Sequence, residues 1–153
     1  MPVDVQIATD QNTPAAACIE TWAAAALARG APAAAQARAW ELCVRVVDEA
    51  ESRQLNHTYR RRDVPTNVLS FPADVDLPEA RLWGDVVVCA PVVQGEAEAQ
   101  GKRYNDHFAH MVVHGVLHLL GYDHESAAEA SAMERLEITI LDGFGISDPY
   151  GEG

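Results

Sequence analysis

The sequence predicts an α+β fold, an α/β sandwich in which helices pack around one small sheet. Two observations predict it. Short β-type segments alternate with longer segments of helical periodicity along the whole chain. The most apolar helical segment, 104–120, carries apolar residues on nearly its whole circumference, and a helix apolar on all sides is a buried one. At 153 residues the chain is expected to form one domain with a normal core, over residues 1–153.

The elements follow in order. Val3 to Ala8 alternates and reads as a strand. Thr13 followed by Pro14 reads as a helix N-cap with proline at the first helical position, and Ile19, Trp22, Ala23 and Ala26 recur at helical spacing up to a stop at Gly30. The alanine-rich stretch 31–39 reads as a loop or poor helix. Trp40, Leu42, Val44 and Val46 alternate with polar or small neighbours and mark a second, half-buried strand. Asp48 with Glu51 resembles a capping box opening a helix over 49–59. A short strand over 67–71 lies between Pro65 and Pro72, and 73–83 reads as a loop. The run VVVC within 85–90 has the continuous apolar character of a strand buried on both faces, making four strands in all. A helix over 91–100 precedes the buried one. Gly121 ends the buried helix, and Ser126 with Glu129 forms a second capping-box pattern for a last helix to about 142, with Met133, Leu136 and Ile140 facing the core. DPYGEG reads as a short tail.

Composition narrows the function. The net charge of −12 argues against a nonspecific nucleic-acid binder, which is usually basic. The cations are ten arginines and one lysine, Lys102, and arginine suits two-pronged phosphate recognition. A local phosphate-gripping patch therefore remains compatible with the acidic whole. Cys18, Cys43 and Cys89 form no C-x-x-C pair and sit among apolar residues, so they read as buried free thiols in a reducing compartment, with a cysteine zinc site as the alternative. No apolar stretch is long enough to span a bilayer, and the N-terminus lacks the basic-then-apolar pattern of a secretory signal, which points to the cytoplasm.

Chemistry concentrates on the buried helix. His107, His110, His114 and His118 fall within a sector of about 80°. His114 and His118, four residues apart, point from one face and can share a metal; Gly121 turns the chain and His124 follows, giving H-x-x-x-H-x-x-G-x-x-H. Three neutral imidazoles leave a fourth tetrahedral position open, the catalytic arrangement rather than the closed structural one. Zinc is the expected ion, although nickel, copper or iron also accept imidazole. His110 competes as a ligand, but a supporting or packing role suits it better because the glycine turn favours His124. The pattern resembles the metzincin zinc protease signature, with Gly115 where those enzymes carry a glutamate base. Peptide hydrolysis is thereby weakened, and water activated by the metal is the remaining route. The absent side chain at Gly115 is expected to open space beside the metal, and Asp123 and Glu125 flank His124 as helpers or as orienting and helix-entry charges.

HMVVHGVLHLLGYDH, LNHTYRRRDVPTNVLSFP, WGDVVVCAPVV and the closing ME-x-x-E with DPY together resemble the YbeY family of bacterial endoribonucleases. The resemblance runs from about Leu55 onward. It implies a small mixed sheet sandwiched by helices and zinc on His114, His118 and His124. It also implies a functional arginine, Arg60, and single-stranded RNA as substrate, including the 3′ end of small-subunit ribosomal RNA. The small ribosomal subunit is then a partner, with no role for DNA or a membrane. The residues fit this independently. Arg60, Arg61 and Arg62 are the dense basic run of an acidic chain, and a guanidinium can bridge two phosphate oxygens. Tyr59, His57 and Phe71 offer stacking faces for bases, with core packing the stronger role for Phe71. The competing reading is a non-catalytic ribosome-assembly factor whose zinc holds the last helices together, favoured by the missing base and the acidic surface.

Overall fold

The computed structural model describes residues 3–31, 39–72, 80–123 and 125–151, with the backbone alone at 39–40 and 80–83. Among them are four strands, β1 (Val3–Ala8), β2 (Ala39–Val47), β3 (Val68–Pro72) and β4 (Ala80–Cys89). Five helices accompany them: α1 (Ala16–Gly30), α2 (Glu49–Arg60), α3 (Ala90–Gln100), α4 (Tyr104–Leu119) and α5 (Ala127–Asp142). The strands form one mixed sheet in the order β1-β2-β4-β3. β1 and β4 both run parallel to β2, and β3 pairs antiparallel with β4 from Val68 opposite Val88 to Pro72 opposite Gly84. β3 is therefore an edge strand.

Strand alternation sorts side chains between two cores. Leu42, Val44, Val46, Val86 and Val88 face the main core, which α1, α4 and α5 close with Ile19, Phe108, Val112, Val116, Met133 and Leu141. Val47, Val87 and Cys89 face the other way, into a smaller cluster with Leu69 that Leu55 of α2 and Val92 of α3 border. α4 runs through the main core, with Phe108, Val112, Val113, Val116 and Leu117 all fully buried. Its apolar circumference is explained by neighbours on several sides.

Several expectations need correction. α1 starts at Ala16 behind Ala15, with no side-chain cap, so Thr13 is not its N-cap. Asp48 does occupy the N-cap of α2 but caps nothing with its side chain; its carboxylate accepts from the Thr9 hydroxyl, and Glu51 is drawn off to Arg45. The second capping pattern holds on one side, with Ser126 Oγ accepting from the Glu129 N–H at 3.1 Å. The segment expected as a loop up to residue 83 becomes strand from Ala80, because β4 pairs with β2 from Ala39 onward across an irregularity at Glu41/Leu42. Residues 32–38 and 73–79 lie outside the described residues. The cysteines are free but not uniformly buried: Cys89 is buried, Cys43 half-buried and Cys18 exposed.

Candidate functional site

The histidine stripe of α4 divides by depth. His107 is buried, and its Nε2 lies 2.9 Å from Glu96; burial lowers its pKa, with the Glu96 partnership opposing. His110 is buried against α5. His114 is half-buried, and His118 is exposed. The rings of His114 and His118 stand one turn apart and parallel, with centroids 6.4 Å apart and planes within 3°.

The helix end sets the tautomer of His118. Gly121 adopts φ +105°, where a side chain would be strained, and turns the chain back on the helix. The Tyr122 carbonyl then comes within 3.0 Å of His118 Nδ1. A carbonyl only accepts, so Nδ1 carries the proton and the lone pair sits on Nε2. His114 follows the same rule through a different partner. Its Nδ1 lies 3.4 Å from both carboxylate oxygens of Glu137 on α5. Zinc-binding imidazoles are held in this way, with one nitrogen donated to a carbonyl or carboxylate and the other presented to the metal. The donor chemistry of His114 and His118 therefore fits zinc. His124, the third expected ligand, lies outside the described residues.

Behind His114 is a buried network that the sequence reading missed. Glu137 is fully buried; it accepts from His110 Nε2 at 2.8 Å and from the Tyr150 hydroxyl at 2.7 Å. Burial alone would raise the Glu137 pKa, but the bonds from His110, His114 and Tyr150 hold it well below the ordinary carboxylate range. The Tyr150 phenol is pushed up by burial and by the same carboxylate. Among the described residues, His110, His114 and Glu137 are also a group whose ligand atoms lie within 4.8 Å of one another, and this group could hold a metal ion. The 2.8 Å separation of His110 and Glu137 is that of a charge-assisted hydrogen bond. ME-x-x-E and DPY were the available signals: the first supplies Glu137, and the second supplies Tyr150 from what read as a tail.

Arg60 comes to the same place from the far side of β3. It is the last residue of α2, and Arg61 closes the helix in the left-handed conformation at φ +58°. The connection to β3 is tied down by Asn56 Nδ2, donating to the Val64 carbonyl at 2.8 Å, and by Ser52, which bonds both the N–H and the carbonyl of Thr66 at 3.0 Å. Arg60 Nη2 donates to the Ser70 carbonyl at 3.3 Å. Arg60, Asn67, Val68, Leu69, Ser70, His114 and His118 line one cleft of about 190 Å³. Arg61, Arg62 and His57 are exposed outside it. Phe71 is half-buried and meets the exposed Tyr59 edge-on at 5.0 Å between ring centroids.

Gly115 does not open space beside the histidines. A Cβ built there would stand 2.6 Å from Val86 Cγ1 and 2.9 Å from Val68 Cγ2. The glycine lets α4 lie directly on β3 and β4, and its carbonyl accepts from Ser70 Oγ at 2.7 Å. The glutamate base of the metzincin pattern is excluded because this position faces the sheet.

Fold and cleft thus define a small α/β sandwich with histidines and an arginine facing each other across an edge strand. The family model for endoribonuclease YbeY matches residues 5–145, and the chain belongs to this family. An endoribonuclease YbeY of Alkalilimnicola ehrlichii is 55% identical, over 98% of this chain and 90% of the relative. One of Pseudomonas putida is 49% identical, over 99% and 94%, and one of Halorhodospira halophila is 59% identical over 77% and 79%. The solution structure of TM1509 from Thermotoga maritima shares the fold, with a TM-score of 0.60 at 23% identity over 98% of this chain and 99% of that one. Membership makes the chain an RNA-cleaving enzyme, so the reading as a non-catalytic assembly factor falls away. Among the described residues no helix is long and apolar enough to cross a membrane.

Proposed function

We propose that this chain is a zinc-dependent endoribonuclease that cuts single-stranded RNA, working in the cytoplasm on the 3′ end of small-subunit (16S) ribosomal RNA and in ribosome quality control. The observation that carries this reading is the shared cleft of Arg60, His114 and His118. In this account His114, His118 and His124 hold one zinc, and Arg60 is the catalytic arginine. When bound, zinc supplies Lewis-acid stabilisation of charge on the phosphoryl oxygens and acidifies water.

The protein's own groups divide the remaining work. Arg60 gives one N–H to the Ser70 carbonyl, which draws the guanidinium toward the cleft, and keeps further donors for two phosphate oxygens. Those donors stabilise the charge that grows on phosphorus in the transition state. Ser70 ties β3 to α4 through the Gly115 carbonyl, so a buried bond links the arginine side of the cleft to the histidine side. Glu137 and the Tyr122 carbonyl hold the imidazoles in the tautomer that binds metal. A cleft of about 190 Å³ has room for one phosphodiester group between Arg60 and the two histidines.

Kinetics of arginine variants test the proposal. Arg60→Ala should keep its fold and zinc but cut RNA at least about tenfold more slowly, and loss of one such donor reaches about a hundredfold to a thousandfold elsewhere. Arg60→Lys should recover only part, since a point charge lacks the two-pronged contact. Arg61→Ala and Arg62→Ala should weaken binding mildly, and more at low salt. Parental rates in Arg60→Ala would remove Arg60 from the mechanism.

A further inference from the structure

Arg60 and Ser70 line a second, larger cavity of about 510 Å³ on the opposite face of the sheet. Its size lies within the range of about 300–1,000 Å³ usual for small-molecule sites. It continues the histidine cleft past the edge strand, so a strand of RNA gripped at Arg60 would have its neighbouring nucleotide here. We propose that this cavity is a guanine-base subsite of the RNA site, in which Asp85 reads the Watson–Crick edge and Tyr59 and Phe71 provide the stacking surface. The inference rests on the reading of RNA as the strand held at Arg60.

Strand register builds the floor. Phe71 of β3 stands opposite Asp85 of β4, and Cys43 of β2 stands opposite Asp85 on the other side. The three form a row across adjacent strands, on the face turned away from α4 because their neighbours Val44 and Val86 point into the main core. Tyr59 leaves 59% of its surface exposed at the rim, edge-on to Phe71, and the Arg60 guanidinium lies 5.9 Å from the Phe71 ring centroid. Rings and a guanidinium gathered in this way are the usual platform for an unstacked base.

The carboxylate gives the subsite its selectivity. A negative charge in an RNA groove repels phosphate, so it is favourable there only where a base presents donors to it. Arg45 is not available to neutralise it, since it grips Glu51 through two bonds of 2.6 and 3.0 Å and Gln6 through a third of 3.0 Å. The Cys43 thiol bonds Asp85 and is pushed up to about 11, by burial first and then by Asp85 and Asp4. It stays protonated and steadies the carboxylate, whose two oxygens have about four acceptor positions in all. Among the four bases, guanine alone presents two adjacent donors, N1–H and N2–H, matching two carboxylate oxygens. Adenine and cytosine place an acceptor beside their amino group, and uracil flanks one donor with two carbonyls; each sets a lone pair against the carboxylate.

Binding of GMP, AMP, CMP and UMP to the full chain, followed by calorimetric titration, tests this without requiring cleavage. GMP should bind at least about tenfold more tightly than the others, a modest discrimination for a two-bond base contact. Asp85→Asn is isosteric at an exposed position and should abolish that preference, whereas Tyr59→Ala should weaken all four nucleotides by a similar factor. On a random single-stranded RNA pool, cuts by the parent should show guanine enriched at one fixed offset, and Asp85→Asn should lose the enrichment. Equal binding of the four nucleotides, no binding of any, or a guanine preference that survives Asp85→Asn would overturn the subsite. Zinc-dependent cutting with no base bias would overturn it and leave the endoribonuclease reading intact. A guanine preference that depends on Asp85, in a protein that leaves RNA uncut, would do the reverse.

Discussion

Replacing Gly115 by alanine adds one methyl group where the helix and sheet already touch. The new carbon would sit 2.6 Å from Val86 Cγ1 and 2.9 Å from Val68 Cγ2. Both obstacles are methyls of β-branched side chains on paired strands, and Val86 is fully buried, so neither can rotate away freely. Overpacking of this kind costs about 1–3 kcal/mol, and two close contacts put this site at the upper end. Alanine returns about 1 kcal/mol through its better helix propensity. The net expectation is a loss of about 2 kcal/mol, or a melting point lower by about 4–8 °C in a chain of this length. Differential scanning calorimetry on metal-free parent and variant isolates the packing effect from metal linkage. Gly115→Glu should fail to fold, seen as loss of near-ultraviolet circular dichroism. An unchanged or raised melting point for Gly115→Ala would show that α4 does not rest on β3 and β4 as described.

Two further outcomes follow from the polar groups around the site. Glu137→Gln should still bind one zinc per chain but about 10–100-fold more weakly, as loss of an outer partner does; complete loss of stoichiometric zinc would make Glu137 a ligand instead. Cys43, with its pKa raised to about 11, should be alkylated slowly at pH 8, because only about one thiol in a thousand is then ionised; the rate should climb about tenfold per pH unit toward that value. Mass spectrometry should find the exposed Cys18 modified well before Cys43, and equal rates at pH 8 would contradict the half-buried, acid-flanked setting of Cys43.

The parts of the fold legible in the sequence are those dictated by periodicity. Alternation placed β1 and β2, the VVVC run placed β4 between two cores, and the apolar circumference of 104–120 marked α4 as buried. Side-chain hydrogen bonding between distant segments was not legible. Asp48 and Glu51 match a capping box, yet Thr9 and Arg45 take those carboxylates, and neither partner is visible from the local pattern. The first part of β4 was hidden because residues 80–83 become strand only by pairing with β2. In the site, four-residue spacing was enough to put His114 and His118 on one face. Glu137 and Tyr150 were signalled by ME-x-x-E and DPY but given no role, because nothing local shows that α5 and the tail after it bring the two together behind His114. Gly115 was misread because spacing says which side of a helix a residue occupies, but not which neighbour fills that side.

Metal dependence of cutting is the central claim, and it is measured most directly with one defined single-stranded RNA and one preparation of this protein. Chelator-stripped protein should leave the RNA intact, and one equivalent of zinc per chain should restore cleavage, while His118→Ala should neither retain zinc nor recover activity. Cleavage by the stripped protein at the parental rate, or full zinc occupancy in His118→Ala, would contradict the account.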